Sequence, residues 1–510
     1  MTIPKEVKEI ANKLTKAGFE AYLVGGCLRD LILSEVEGRP IIPKDWDLTT
    51  NATPKEIQKL FPDSVYENRF GTVGVKIPTP EGVGTPADSV GAGKMIVEVT
   101  TFRIDGSYTD KRHPDVVKFA KTVEDDLSRR DFTVNAMAMG LTGKILDPHG
   151  GQEDLKNKII RAVGDPVKRF QEDALRLVRA VRFSAQLGFV IEKKTLEALA
   201  KEHGLIEFVA KERIRDEFEK LLMTDNAHEG VRELQRGGLL KIMIPELEEG
   251  VGMEQNLHHI YTVFEHNVRS LEYGAKNNFP LHLRVASLLH DVGKSRVRQW
   301  KNDLRGGKIH RGKRGDWTFY QHQHVGERMS IEIMDRLHFP KDMTEQVALL
   351  VREHMFVYDP EIVTLKGVRR LVSRVGIENI NDLMKLREAD RIGSGVAKAQ
   401  PYRLRYLQAM IEKVKQDPIG PKMLKVNGGD IMKELKIEPG PKVGAILAIL
   451  LEEVLDDPKR NDKEYLGSRM KELAKLSEQE LAALSSQAKE SANEIQERID
   501  TELKKKYFVK

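Results

Sequence analysis

The residues of this chain with chemistry in them fall into a few short runs. Asp45-Trp46-Asp47 lies where the sequence reads as a short strand, Trp46–Leu48. A period of two would set both carboxylates on one face, ~6–7 Å apart along the chain. Paired carboxylates converging on hard divalent cations are what in-line phosphoryl or nucleotidyl transfer requires: one ion activates the attacking hydroxyl, the other neutralises the leaving pyrophosphate. Glu98, between Val97 and Val99, is a third acid suited to a neighbouring strand. Upstream, Ala21–Gly26 is an apolar strand ending in Gly25-Gly26, with a helix from Cys27 to Ser34. Glycines at such a junction let backbone N–H groups approach phosphate oxygens, and the helix start adds favourable partial charge. Arg29, Arg129 and Arg130 offer forked donors for phosphate or ribose oxygens. Singly, these are a tight turn, surface acids and a solvated helix end. Their succession along one stretch points to a nucleotide site.

A second run, Glu172 to Arg182, reads as helical, with Asp173, Arg176, Arg179 and Arg182 recurring every third residue on one face. A salt-bridged solvated face is one reading. In the other, a carboxylate accepts from the exocyclic amine of cytosine or adenine while an arginine donates to the adjacent ring nitrogen. Uracil and guanine present a carbonyl there and leave both groups mismatched. Such a pair selects C and A without a nucleic-acid template. A third set is His266, His290-Asp291, His322, His324, His354 and Asp390. Imidazole with carboxylate suits manganese, nickel, iron or zinc, and such a site can activate water against a phosphoester. Between Trp300 and Trp317, six Lys or Arg stand against two acids, which suits either an RNA-tracking loop or a solvated one.

The elements that must hold these residues change character along the chain. The first part mixes a helix (Pro4–Lys16) with strands at Gly71–Ile77, Ile96–Phe102 and Val116–Phe119, and Pro78–Gly93 is a Gly/Pro-rich loop. From Asp165 onward helical spacing dominates, with breaks near Asp225–Asn226, Gly393–Gly395 and Asp457–Asp462. One helix covers Leu281–Lys294 and another runs from Leu476 to Leu503. The expected division is a head at 1–155, a helical neck at 156–225, a helical domain at 226–395 and a helical tail at 396–510. With 83 Lys or Arg against 78 Asp or Glu, the net charge is +5, which excludes a polybasic wrapper but allows a local basic stripe. The single cysteine, Cys27, excludes a disulfide framework and a Cys-rich zinc site and suits a reducing cytoplasm. No stretch reaches the ~18–20 apolar residues of a membrane span.

The motifs together resemble the class II tRNA nucleotidyltransferases (CCA-adding enzymes) and their bacterial poly(A) polymerase relatives, within the polymerase-β-like nucleotidyltransferase superfamily. The likeness runs from Ala21 to Leu222. It includes Gly-Gly-x-x-Arg-Asp, Asp-x-Asp, Glu98–Arg103, Arg129-Arg130-Asp131-Phe132-Thr133-Val134-Asn135-Ala136, and Asp147-Pro148 through Asp154-Leu155. The resemblance implies an α/β head with a small mixed sheet, followed by all-α neck, further domain and tail. It implies magnesium at Asp45 and Asp47, with Glu98 as the third carboxylate. Gly25, Gly26, Arg29, Arg129, Arg130 and Asp131 would bind the nucleotide and Asp173 and Arg176 the base, with Arg179 and Arg182 near the phosphates or the pocket wall. Glu212-Arg213 and Asp216-Glu217 match a further motif and would brace the helices. Arg103–Phe119 corresponds to the family's flexible loop, whose length disfavours a CC-only enzyme. The implied partners are tRNA, CTP and ATP, with no membrane. The implied reaction is templateless addition or repair of the 3′-terminal CCA of tRNA with loss of pyrophosphate; A-addition and poly(A) synthesis are the alternatives of the same chemistry. The order of His266, His290, Asp291, His322, His354 and Asp390 resembles the HD phosphohydrolase superfamily. It implies a second metal site, His324 being the spare, with hydrolysis or a retained scaffold as its two readings. A phosphohydrolase with the head as an RNA-binding module is the alternative from another class.

Overall fold

Alternating residues near the N-terminus pair into one mixed sheet. Its first strands are β1 (Ala21–Val24), β2 (Trp46–Thr50), β3 (Ser64–Tyr66), β4 (Thr72–Pro78) and β5 (Lys94–Thr101). After a separate ribbon of β6 (Arg103–Asp105) and β7 (Val117–Phe119), β8 (Ala138–Gly140) and β9 (Ile145–Leu146) complete it. The spatial order is β3-β4-β5-β2-β1-β8-β9. Only β2 and β5 run parallel; the other neighbours are antiparallel. The computed structural model describes residues 3–66, 71–78, 94–105, 117–256, 260–301, 316–416 and 424–509. Most of the Pro78–Gly93 loop, residues 106–116 of the Arg103–Phe119 loop, and 302–315 between the two tryptophans lie outside them.

Register sorts the side chains of this sheet. Leu23, Leu48, Val99 and Val73 stand in one row across four strands, all essentially buried. Helices α1 (Lys5–Lys16), α2 (Gly25–Glu37) and α3 (Pro54–Leu60) lie against the strands. Helix α1 buries Val7, Ile10, Ala11 and Leu14, the spacing of one helical face. The other sheet face carries Tyr22, Thr49, Thr100 and Thr72 in register. Thr49 donates to the Thr100 carbonyl at 3.1 Å, and the Thr72 and Thr100 hydroxyls meet at 3.1 Å. Towards β8 this face turns apolar: Val24 and Ala138 pack with Phe102 and with Val123 and Leu127 of α4 (Val123–Ser128). A 3-10 turn at Thr133–Asn135 leads on to α5 (Gly151–Asn157), whose first N–H groups, at Gly151 and Gln152, donate to the Asp147 carboxylate at 2.7 and 2.9 Å.

The chain divides into two compact units, Met1–Val351 and Arg352–Lys510. Beyond the head, the first holds α6 (Pro166–Glu172), α7 (Leu175–Leu187), α8 (Lys193–Glu202), α9 (Lys211–Leu222), α10 (Ala227–Arg236), α11 (Leu240–Met243), α12 (Pro245–Glu248), α13 (Val263–Lys276), α14 (Leu281–Leu289), α15 (Lys294–Val297), α16 (His322–Arg336) and most of α17 (Lys341–Glu353). The second holds α18 (Leu365–Val375), α19 (Ile380–Gly393), α20 (Tyr402–Gln416), α21 (Gly428–Leu435), α22 (Pro441–Asp456), α23 (Lys463–Leu473) and α24 (Glu478–Lys506). Its core joins Ile446, Leu450 and Val454 of α22 with Leu466 and Met470 of α23 and Leu481 of α24. The apolar run Ala445–Leu451 is thus part of a packed helix, and no helix among the described residues is long and apolar enough to cross a membrane.

Four local expectations need correction. Gly25 and Gly26 open α2 and do not end β1, because Gly25 takes φ +69 and turns the chain at once. Asp45 sits in a bend one residue ahead of β2. The helix expected over Leu281–Lys294 ends at Leu289 and resumes at Lys294. The helical part of the chain also contains two small sheets: β10 (Ile159–Ile160) with β11 (Val190–Ile191), and β12 (Gln299–Lys301) with β13 (Asp316–Thr318). Pairs this short carry no alternating pattern long enough to read.

Gly151 tests the packing of α5 on the head. A Cβ there would come within 2.3 Å of the Thr133 carbonyl oxygen, whereas one at Gly204 meets nothing within 4 Å. Gly151→Ala should cost about 1–3 kcal/mol in thermal or urea unfolding, and Gly204→Ala should change little. Equal melting of the two variants would rule out this close approach.

Candidate active site

The acids and the diglycine meet beside the central strands of the sheet, on its polar face. Asp47 and Glu98 are register partners on the parallel pair β2 and β5, so their side chains leave the same face of adjacent strands. Asp45 is exposed just ahead of them. A Cβ on Gly25 would lie 3.0 Å from Asp47 Oδ2 and 3.4 Å from Arg130 Nη1, so only glycine lets the strand-to-helix turn sit beside the carboxylate. Burial pushes Asp47 up to about 6; Asp45 adds to that, and Arg130 and Arg29 oppose it. Three oxygen donors with surplus negative charge fit a hard divalent cation. Cys27 is buried beside them, its thiol 3.1 Å from the Val24 carbonyl and pushed up to about 12 by burial, so it packs and does not react.

The arginines are already held. Asp126 of α4, completely buried, accepts Arg129 Nε and Nη2 at 3.0 and 2.7 Å on one oxygen and Arg130 Nη2 at 3.2 Å on the other. Burial pushes Asp126 up, but the two guanidiniums outweigh it and hold it below the usual range. Its spacing, three and four residues ahead of the arginines, is the signal that could have marked it. Arg29 donates to Asp30 at 2.8 Å and to Asn135 at 2.9 Å. From Asn135 the bonds run on to Asp131 at 3.3 Å and from Asp131 to Arg179 Nε at 3.0 Å. Glu217 of α9 then takes Arg179 at 3.4 Å and Arg182 at 2.8 Å. Arg29, Arg179 and Arg182 also surround the ring of Phe183, at 5.3, 5.1 and 3.5 Å from its centroid.

The expected single helix over Glu172–Arg182 is broken. Asp173, with φ −136 and ψ 104, lies between α6 and α7, and its carboxylate accepts the Leu175 N–H at 3.1 Å. This is the usual competition of an Asp side chain with helix propagation. Arg213 of α9 donates to Asp173 at 3.1 Å. Arg176 Nη1 donates to Glu172 at 2.8 Å and to the Arg169 carbonyl at 3.1 Å, and its Nη2 to the Arg129 carbonyl at 2.9 Å. Asp131, Asp173, Arg176 and Arg179 are therefore neighbours, joined to the head through Arg129 and Asn135.

A nitrogen-rich cluster lies elsewhere in the first unit. His266 and His290 present their Nε2 atoms to each other at 2.9 Å; His266 and His322 lie 3.0 and 3.1 Å from the two oxygens of Asp291. His290 Nδ1 meets the Ser287 carbonyl at 2.9 Å and His322 Nδ1 the Phe319 carbonyl at 2.8 Å. A carbonyl can only accept, so both rings carry a proton on Nδ1 and turn Nε2 towards the cluster, the nitrogen by which a histidine held this way would ligate a metal. Burial pushes Asp291 up, but Lys294, 2.5 Å away, and the surrounding imidazoles hold it well below the usual carboxylate range. Lys294, three residues past Asp291, has no motif in the sequence to mark it. His354 and Asp390 are buried in the second unit, where Arg387 pairs with Asp390; His324 is exposed.

The Asp131–Arg179 pair has a pH signature. Burial raises Asp131, yet Arg179, Arg176 and the Phe132 N–H hold it well below the usual range. A depressed carboxylate adds stability above its unfolded pKa, ~3.9, and loses it as pH falls towards the folded value. Asp131→Asn should cost about 3–5 kcal/mol at neutral pH and flatten the decline of Tm below pH ~5. An unchanged acid slope in the variant would sink this account.

Three stretches of the chain match known families: residues 21–161 the Poly A polymerase head domain, 188–250 the RNA and SrmB-binding site of polymerase A, and 317–469 the tRNA nucleotidyltransferase domain 2. The chain is 47% identical over 213 residues to the CCA-adding enzyme of Lactobacillus helveticus, an alignment that spans 42% of this chain and about half, 48%, of that protein. With the CCA-adding enzyme of Streptococcus gordonii it shares 31% identity over 476 residues, 92% of this chain and 98% of that one. Among solved structures, the CCA-adding enzyme of Bacillus stearothermophilus in complex with CTP superposes with a TM-score of 0.59 at 27% identity, over 92% of this chain and 98% of that one. The Thermotoga maritima CCA-adding enzyme complexed with tRNA shares the fold, with a TM-score of 0.50 at 20% identity over 93% and 100% of the two chains. With near end-to-end likeness in sequence added to the arrangement of carboxylates, diglycine and arginines, the chain belongs to the family of CCA-adding enzymes.

Proposed function

We propose that this chain is a tRNA nucleotidyltransferase that adds or repairs the terminal CCA of tRNA from CTP and ATP without a nucleic-acid template. The observation that carries the reading is the hydrogen-bonded path from Arg29 through Asn135 and Asp131 to Arg179, which ties the diglycine helix to the segment bearing Asp173 and Arg176. Asp45, Asp47 and Glu98 would hold magnesium, which when bound lowers the cost of ionising the attacking 3′-hydroxyl and of releasing pyrophosphate. Gly25 and Gly26 leave room for phosphate oxygens at the start of α2. Arg129 and Arg130, fixed by Asp126, orient the triphosphate.

Asp173 and Arg176 select the base. A carboxylate has about four acceptor positions, and Asp173 spends its contacts on Leu175 N–H and Arg213, keeping capacity for an exocyclic amine. Arg176 commits Nη1 and one Nη2 hydrogen to the protein, so Nε–H and the other Nη2 hydrogen can face a ring nitrogen. We assign tRNA contact to the neck, 156–225, and the tail, 396–510, acting on shape and phosphates. The one cysteine is a buried thiol, and we place the enzyme in the cytoplasm. Incubation with tRNA lacking CCA, CTP and ATP should add three nucleotides and stop. A single A would indicate an A-adder, and long A tails a poly(A) polymerase. Asp45→Ala with Asp47→Ala should abolish addition yet leave tRNA binding, whereas Asp173→Ala should let UTP compete. Activity surviving the double change would sink the metal assignment.

The Nε2 atoms of His266, His290 and His322 lie 3.0, 3.6 and 3.1 Å from the oxygens of Asp291, and this convergence favours a second activity. We propose that His266, His290, Asp291 and His322 hold manganese, nickel, iron or zinc and hydrolyse a phosphoester. Metal-dependent phosphate release from a phosphomonoester, or opening of a 2′,3′-cyclic phosphate, should vanish in His290→Ala. No release with any of these ions would leave the cluster as scaffold.

A further inference from the structure

Two of the chain's three tryptophans, Trp300 and Trp317, face each other across β12 and β13. The third, Trp46, is buried in the head at 2% exposure. Trp300 and Trp317 meet edge to face, 5.0 Å apart at 78°. The guanidinium of Arg298 lies 3.6 Å from the centre of the Trp317 ring, and the ammonium of Lys301 lies 4.4 Å over Tyr320. A lone two-stranded hairpin is marginal in water. Trp317, between Trp300 and Arg298, supplies the cross-strand packing that holds it. Trp300 and Tyr320 remain 50% and 67% exposed. Holding the hairpin together does not account for two large rings kept in water, one of them beneath the Lys301 ammonium.

We propose that this hairpin binds single-stranded RNA, with bases stacking on Trp300 and Tyr320 and with Arg298 and Lys301 meeting the phosphates. Aromatic faces flanked by cations are how proteins take unpaired strands irrespective of sequence, since every base has a π-face. Paired bases are already stacked and offer no such face. Charge favours a nucleic acid over an apolar protein partner. The sequence from Lys301 to Asp316 holds six Lys or Arg and two Asp. The hairpin is also rooted in the nitrogen-rich cluster. Helix α15, which leads into β12, begins at Lys294, and β13 leads through Phe319 to His322, the first residue of α16; both Lys294 and His322 contact Asp291. A strand on the platform would be held by the same chain segment that supplies the cluster. This platform is separate from the head and does not require its chemistry.

The test is a titration of the full-length protein with a fluorescently end-labelled single-stranded RNA 12-mer, read by anisotropy and by tryptophan emission. Saturable quenching is expected. Trp300→Ala with Tyr320→Ala should weaken binding about tenfold or more, while Trp300→Phe with Tyr320→Phe, which keeps the rings, should stay within about threefold of the parent chain. Equal binding by the alanine pair, or equal competition by an RNA duplex, overturns the proposal. So does affinity that falls only with Lys301→Ala, because stacking then contributes nothing. Each variant is also assayed for nucleotide addition to tRNA lacking CCA. If the parent chain adds no nucleotide yet binds the 12-mer through these rings, the function proposed for the head fails and this inference stands. Normal addition without binding overturns this inference and leaves the function of the head standing.

Discussion

The Asp131–Arg179 ion pair is the constraint on which the arrangement of the head and the adjoining helices depends. Asp131 is buried while the Arg179 side chain stays 30% exposed, and taking a carboxylate out of water costs several kcal/mol that Coulomb attraction alone does not repay. The balance is restored by hydrogen bonds to the remaining positions: Phe132 N–H at 2.8 Å and Asn135 at 3.3 Å on Asp131, and Glu217 on Arg179. An apolar pair of the same volume could pack as well, but it would not fix direction. The carboxylate belongs to the segment following Arg130, and the guanidinium lies one turn beyond Arg176. Their geometry sets how far the diglycine helix, held through Arg29, lies from Asp173 and Arg176.

The two clusters in the first unit differ in donor chemistry, and each suits a different class of metal. Asp45, Asp47 and Glu98 offer oxygen alone, suited to a small hard ion that retains water and takes phosphate oxygens as further ligands. His266, His290 and His322 around Asp291 offer mainly nitrogen, which favours the later first-row metals. Backbone carbonyls enforce this at His290 and His322 by fixing the proton on Nδ1. Lys294 offsets the charge of Asp291, so this buried carboxylate has a cationic partner whether or not a metal is bound.

The sequence was most readable where one residue type had to meet a local requirement. The turn at the diglycine, a strand carrying Glu98 beside that of Asp47, and the long helices α1 and α24 are legible because glycine φ, strand period and helix period are properties of neighbours in the chain, whereas Asp45, ahead of β2, does not follow the strand period. What stayed hidden depends on distant partners. The break at Asp173 arises because its carboxylate caps Leu175 and accepts Arg213 forty residues on. Strands β3, β8 and β9 are too short for periodicity, and they exist because an adjacent strand offers them hydrogen bonds. Arg29 reads from sequence as a phosphate clamp and Arg179 as near the phosphates or the pocket wall; the structure pairs both with acceptors within the protein, a fact no spacing rule contains.

That internal engagement bears on how a weakly basic chain can hold a triphosphate. Asp126 is shared by Arg129 and Arg130, Glu172 by Arg169 and Arg176, and Glu217 by Arg179 and Arg182. One carboxylate between two guanidiniums leaves net positive charge around Asp126 and Glu172, whereas Arg179 meets both Asp131 and Glu217 and Arg182 meets Glu217, and no guanidinium among these six lacks an anionic neighbour. Each arginine is therefore ordered before a ligand arrives, and the rotamer entropy that a free side chain would lose on binding has been lost on folding. A few pre-set forks achieve what a loose basic surface would need many residues to do. A net charge of only +5 is therefore compatible with binding two polyanions, a nucleotide and an RNA.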